Sequence, residues 1–294
     1  MTSIIFHPKY HAEIGNHVMQ IDKYKKIFDR LNALNIKKQN FCKPLKANIK
    51  ELTLVHSSEY IHEFLSGKHT SKTISSELPL DNHIADFFLY ATGGTILAAK
   101  KALQKNYAIN LNGGFHHAFK NKAEGFCYIN DIAVAIAVLQ NESKIKRALV
   151  IDCDLHQGNG TARIFRNDDR VFTFSIHQQN IYPIKEKSDL DIGLYDLTGD
   201  NDYLGHIEKI IPKILNSHRP ELVIYQAGAD PFSGDQLGSL KITKKGLQKR
   251  DELVIESCKK LSIPIAGTLG GGYAEDPEDT VDIHLQTSLS FINA

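Results

Sequence analysis

Six short runs of branched and aromatic apolar residues recur along this chain, and amphipathic stretches separate them. The runs are Ile4-Ile5-Phe6, Tyr107 to Leu111, Ala148 to Ile151, Val171 to Ile176, Leu222 to Tyr225 and Ile263 to Ala266. Runs of this length read as strands. Residues 20–34, 58–65, 83–104, 130–140, 202–217, 244–260 and 276–292 read as helices. Parallel neighbours need a crossover connection, and a helix commonly supplies it. The alternation therefore predicts an α/β fold with a mostly parallel sheet and helices on both faces. No Pro/Gly/Ser-rich linker, low-complexity tract or repeat interrupts the pattern, so residues 1–294 read as a single domain.

Composition removes several function classes. A formal net charge of +1 offers no basic face for nucleic acid. Lysines cluster at Lys23 to Lys26, Lys37 to Lys50 and Lys241 to Lys249, and read as solvated helix faces and turns. The four cysteines (Cys42, Cys127, Cys153 and Cys258) form no CxxC pair and read as reduced thiols of a cytoplasmic protein. No apolar stretch approaches the roughly 20 residues of a membrane helix, and no signal-peptide pattern opens the chain. A soluble monomer is the expectation.

The densest chemistry closes the strand before residue 152. Asp152-Cys153-Asp154-Leu155-His156 sets three metal-capable side chains at alternate positions. In extended backbone such residues share a side, and open α/β sheets bind ligands beyond the carboxyl ends of their strands. Two carboxylates there need a cation or hydrogen-bonding partners to offset them. Asp154 and His156, joined by Asp230 from Gln226-Ala227-Gly228-Ala229-Asp230-Pro231, make a three-ligand set with a position left for water, the pattern of a catalytic zinc. Singly, a capping pair and a turn aspartate explain the same residues.

Two more strand ends carry polar, glycine-rich loops: Asn112-Gly113-Gly114-Phe115-His116-His117 and Gly267-Thr268-Leu269-Gly270-Gly271-Gly272-Tyr273. Four such ends suggest one shared pocket. On an extended loop, neighbouring histidines diverge and make poor joint ligands. They suit instead two imidazoles over a metal site, one as general base and acid and the other as electrostatic partner. Asp152 and Asn159 are candidates to orient them. Tyr273 could donate to a developing oxyanion, and Phe126 and Tyr182 could wall a narrow channel. A chance His pair in a polar loop and ordinary packing of Tyr273, Phe126 and Tyr182 remain the plainer alternatives.

Taken together, these motifs resemble the zinc-dependent histone deacetylases and their bacterial relatives of the acetylpolyamine amidohydrolase and acetoin-utilization type. The resemblance runs from about His7 to the C-terminus. It rests on Gly113-Gly114-Phe115-His116-His117, Gly125-Phe126-Cys127-Tyr128-Ile129-Asn130-Asp131, Asp152 to Gly160, Ala227 to Asp230, Gly234-Asp235-Gln236-Leu237-Gly238 and Gly270-Gly271-Gly272-Tyr273. Within the family the chain looks most like class IV, on Ile181-Tyr182-Pro183, Gly93-Gly94-Thr95, Lys249-Arg250-Asp251-Glu252 and its compact length.

The resemblance implies an arginase/deacetylase fold with a parallel sheet of about eight strands. It implies one Zn2+ per chain held by Asp154, His156 and Asp230, with His117 as base and then acid, His116 assisting and Tyr273 polarising the acyl carbonyl. Asp152 would pair with His116 and Asn159 with His117, although the family more often has an acid at the latter place. Gly125, Phe126, Tyr182 and Leu237 would line the acyl-lysine channel, with residues 66–82 and 184–201 at its entrance. A monovalent cation such as K+ would sit on backbone carbonyls of Asp152, Asp154 and His156 near Ser175. The implied substrates are acyl-lysine proteins or peptides, or acetylated polyamines. A non-catalytic acyl-lysine binding module is the rival from another class. A two-manganese ureohydrolase is disfavoured because Gly158 and Gly228 stand where further ligands would be needed.

Overall fold

The computed structural model describes residues 2–34 and 36–294. Its sheet contains β1 (Ser3–Ile5), β2 (Phe41–Cys42), β3 (Tyr107–Asn110), β4 (Ala148–Asp152), β5 (Val171–Gln178), β6 (Leu190–Leu194), β7 (Leu222–Gln226) and β8 (Ile265–Thr268). The spatial order is β2-β1-β3-β8-β7-β4-β5-β6, and every pairing is parallel. Every residue of β4 and of β7 is buried. Successive side chains point to opposite faces, so these strands are covered on both sides.

The helices are α1 (Lys23–Ala33), α2 (Ile49–Leu52), α3 (Ser58–Leu65), α4 (Asn82–Lys105), α5 (Asp131–Asn141), α6 (Asn159–Phe165), α7 (Asp200–His218), α8 (Lys244–Lys260) and α9 (Pro277–Ile292). Local chemistry sets several of their starts. Asp81 accepts from the backbone N–H groups of His83 and Ile84 to open α4, and Asp276 accepts from Glu278 N–H ahead of Pro277 to open α9. Asn130 caps α5 through Ala133 N–H while its amide donates to the carbonyls of His116 and Ala118. One side chain thus starts a helix and ties down the histidine loop.

Two strands escaped the sequence reading. β2 is only two half-buried residues, and β6 alternates exposed and half-buried positions at the sheet's edge, with Asp191 within it. Neither makes an apolar run. Residues 184–201, expected as an entrance loop, therefore include an edge strand. Gly158, Asn159 and Gly160 form the N-cap and first turn of α6. Lys23, expected on a solvated face, is 3% exposed.

The register decides where the loops meet. Asn110 pairs with Thr268, Thr268 with Gln226, and Gln226 with Asp152. The last residues of β3, β8, β7 and β4 therefore lie level, side by side along one sheet edge. The loops that follow them carry the glycine-rich and acidic motifs.

Candidate active site

The β4 and β7 loops bring Asp154, His156 and Asp230 together, with one potential ligand atom from each lying within 4.8 Å of the others. His156 Nδ1 is 3.2 Å from Asp230 Oδ2 and 3.4 Å from Asp154 Oδ1. All three residues are buried. Backbone and amide donors fix the carboxylates: Leu155 N–H donates to Asp230 at 2.9 Å, and Gly271 N–H and Gln226 Nε2 donate to Asp154 at 2.9 and 3.2 Å. A Cβ on Gly271 would stand 2.3 Å from Asp230 Oδ2, so only glycine lets the β8 loop approach this closely. Arg250, wholly buried on α8, donates to the carbonyls of Gly228 and Cys153 and braces both ligand loops from behind.

The electrostatics favour a cation. Burial raises Asp230 to about 8, and the neighbouring Asp154 carboxylate pushes the same way. Burial opposes a charge on His156, but its hydrogen bonds to Asp154 and Asp230 outweigh it and lift the imidazole to about 10. Two oxygens and one nitrogen from buried, hydrogen-bonded side chains make a donor set suited to zinc. The residues fit the ion that the motifs imply.

Above this cluster the β3 loop places His116 and His117. His116 Nδ1 lies 2.7 Å from Asp152 Oδ2, and His117 Nδ1 lies 2.8 Å from Asn159 Oδ1. The sequence reading expected adjacent histidines to diverge, yet their Nε2 atoms approach to 3.1 Å. The reason is backbone curvature: Gly113 and Gly114 adopt positive φ, and His116 N–H bonds to Gly114 C=O at 2.9 Å, so the pair does not lie on an extended strand. Asp131, at the start of α5, pins this turn by accepting from Gly114 and Phe115 N–H.

The two imidazoles carry opposite biases. Burial disfavours charge on His116, but Asp152 and Asp154 overcome it and raise the group to about 9. His117 is held well below the ordinary imidazole value by burial and then by the charges of His116 and His156. The surroundings thus favour a charged His116 beside a neutral His117.

A cavity of about 320 Å³ opens onto the cluster. His116, His117, Asp154 and His156 line it, as do Gly125, Phe126, Tyr182, Leu237 and Tyr273. Asp230, Asp152 and Asn159 sit behind the lining. The Phe126 and Tyr273 rings meet edge-on at 5.8 Å, and the Tyr182 ring stands 5.3 Å from His117. Gly125 has φ of +48°, and a Cβ there would lie 2.4 Å from the Tyr182 hydroxyl, so the narrow wall depends on this glycine too. Burial, reinforced by Asp154 and Asp230, holds the Tyr273 phenol well above its usual value, so it remains a donor. Tyr273 N–H is anchored on Asp235 at 2.7 Å. Ser175 pairs with Asp152 in the β4–β5 register, and its hydroxyl meets His177 Nδ1 at 2.9 Å.

The sequence reading missed two charged lining groups, Lys23 and Glu77. Lys23 donates to Gly270 C=O at 2.8 Å, and burial lowers it to about 8 against the pull of Asp230 and Asp154. Glu77, from the 66–82 segment, also lines the cavity. Neither sits in a recognisable spacing; Lys23 was hidden among the helix lysines.

The histone deacetylase domain family matches residues 17–286. An uncharacterized protein of Picosynechococcus sp. is 37% identical over 285 residues, covering 96% of this chain and 95% of that one. Human histone deacetylase 1 is 31% identical over 296 residues, covering 90% of this chain. The chain spans 60% of that enzyme's length and 62% of the length of histone deacetylase 2 of Arabidopsis thaliana. Among solved structures, an HDAC homologue complexed with SAHA superposes with a TM-score of 0.85 at 27% identity, over 98% of this chain and 84% of that one. Among the described residues, no helix is long and apolar enough to cross a membrane.

Proposed function

The chain belongs to the histone deacetylase family, and from that membership and the site's geometry we propose that it is a zinc-dependent hydrolase removing acetyl or longer acyl groups from lysine side chains. The observation that carries this reading is the level register of β3, β8, β7 and β4, whose loops deliver a buried Asp-His-Asp set, two oriented imidazoles and a phenol to one cavity.

Asp154, His156 and Asp230 would hold the ion, which supplies Lewis acidity toward a carbonyl and lowers the pKa of water. His117 presents Nε2 as the proton acceptor for the attacking water, since its Nδ1 faces the Asn159 carbonyl oxygen. The charged His116, paired with Asp152, stabilises negative charge as it develops and disfavours a second imidazolium until the proton moves. Tyr273 donates its phenolic proton as a hydrogen bond to the acyl oxygen as that oxygen becomes anionic. His117 then passes its proton to the departing amine, so that amine and carboxylic acid leave as separate products. Gly125, Phe126, Tyr182 and Leu237 exclude water from around the aliphatic stem. A monovalent cation of the kind bound by this family would lie near Asp152 and Ser175, adjacent in the β4–β5 register.

Acetylated polyamines are the alternative amide, favoured by Glu77 in the cavity lining, whose carboxylate suits a distal ammonium. Peptides bearing acetyl to myristoyl lysine, assayed beside acetylated polyamines by kcat/KM, test both. Release of acid from lysine peptides supports the proposal, and turnover confined to polyamines replaces it with the alternative.

A further inference from the structure

Behind the His117 orienting amide lies a charge with no assigned role. Asn159 Nδ2 donates to Glu124 Oε1 at 2.7 Å, while Asn159 Oδ1 faces His117 Nδ1 at 2.8 Å and also accepts from Gly160 N–H at 3.0 Å. Glu124 lies just before Gly125, its side chain 18% exposed, and Lys122 bonds its other carboxylate oxygen. Its backbone is paired with Cys127 in an isolated antiparallel bridge, so the side chain projects from a fixed hairpin.

Resting on the deacylase reading, we propose that Glu124 is a positioning residue that sets the tautomer of the His117 base through the Asn159 amide. An ionised carboxylate only accepts hydrogen bonds, so the side of Asn159 turned toward it must be the NH2 group. The opposite side, the carbonyl oxygen, then faces His117. A carbonyl oxygen also only accepts, which requires the proton on Nδ1 and leaves Nε2 unprotonated, as an acceptor facing His116 Nε2 at 3.1 Å. An unconstrained Asn could turn over, offer its NH2 to Nδ1 and move the imidazole proton to Nε2, where the ring cannot serve as base. Gly160 N–H opposes the flip, the charged His116 favours an unprotonated His117 Nε2 at 3.1 Å, and Glu124 adds a further, charge-assisted constraint. A carboxylate at position 159 would need no such partner, because both of its oxygens accept. Glu124 therefore supplies at one remove the anion that Asn159 lacks.

The test is a reciprocal exchange. Glu124→Ala and the nearly isosteric Glu124→Gln are expected to lower kcat by about 10- to 100-fold with KM held, the range of outer-shell partners at metal sites. Asn159→Asp alone sets a carboxylate against Glu124 and is expected to lose activity as well. In the double variant Glu124→Ala with Asn159→Asp the repulsion is gone and an acceptor remains, so kcat should rise above that of Glu124→Ala alone. Nitrogen-15 NMR of histidine-labelled protein, with His117 assigned through His117→Gln, reads the tautomer without any turnover. The Nδ1–H form is expected in wild type and in the double variant, and Nε2–H signal should appear in Glu124→Ala and Glu124→Gln. Wild-type tautomer and kcat in both Glu124 variants overturn the proposal, as does a double variant no better than Glu124→Ala alone. A wild-type protein inert toward acyl-lysine overturns the deacylase reading instead, and the tautomer comparison still decides the role of Glu124.

Discussion

His116 and His117, consecutive in the chain, face each other through Nε2 atoms 3.1 Å apart while their Nδ1 atoms reach different partners, Asp152 and Asn159. Two rings that share a loop are thus biased toward different charge states, His116 by the carboxylates beside it and His117 by burial and the charges of His116 and His156. The carboxylate favours an imidazolium on His116, and the neutral amide adds no charge to His117. This asymmetry has direct experimental consequences.

Asp152→Asn removes the acid that lifts His116 to about 9. The imidazole pKa should fall, leaving His116 neutral at pH 8. We expect kcat at that pH to drop about 10- to 100-fold, with partial recovery as pH is lowered and His116 regains its proton. A pH–kcat profile of the metal-saturated variant beside wild type checks this.

Tyr273→Phe removes the phenol while keeping the ring that packs on Phe126. Loss of one oxyanion donor typically costs ~100- to 1,000-fold in kcat. The variant should bind an acyl-lysine peptide with nearly unchanged affinity. Single-turnover kinetics with binding measured separately distinguish the two effects, and full turnover in the variant removes Tyr273 from the chemistry.

Metal affinity should fall steeply with acid. Against the burial that disfavours its charge, Asp154 and Asp230 lift His156 to about 10, while burial and the Asp154 carboxylate raise Asp230 to about 8, and a cation must displace those protons. Both groups are held above their ordinary values, so proton competition at His156 is present below about pH 10, that at Asp230 joins below about pH 8, and both grow as pH falls. Chelator-competition titrations from pH 6 to 9 should show affinity rising with pH. Calorimetry in buffers of different ionisation enthalpy should register proton release on binding.

Gly271→Ala places a methyl 2.3 Å from Asp230 Oδ2. Overpacking of a tight interior typically costs ~1–3 kcal/mol, and here the group pushed aside is a ligand. The variant should remain folded by circular dichroism but hold well under one equivalent of zinc by elemental analysis.

Much of this site was legible before any coordinates because the chemistry sits in contiguous motifs at strand ends. Ala148 to Ile151 is apolar enough to declare a buried strand, and the alternation of Asp152, Asp154 and His156 then marks its carboxyl end. Alternation alone did not bring the ligands together, since Asp230 arrives from β7 and only the register brings it close. Other features lacked a local signal. β6 has the polar alternation of a loop because one side of an edge strand faces water. Lys23 looked like its solvated neighbours, although it faces inward and Lys25 and Lys26 do not. Convergence of the two histidines depended on the positive φ of Gly113 and Gly114, which spacing cannot express.

Zinc reconstitution of a chelator-stripped preparation, followed by acetyl-lysine peptide hydrolysis, tests the central claim most directly. The expected result is no turnover in the stripped protein and full recovery at one equivalent of Zn2+ per chain, with no recovery in Asp230→Ala. Undiminished hydrolysis by the stripped protein, or recovery of Asp230→Ala to the wild-type rate at the same zinc level, would contradict it.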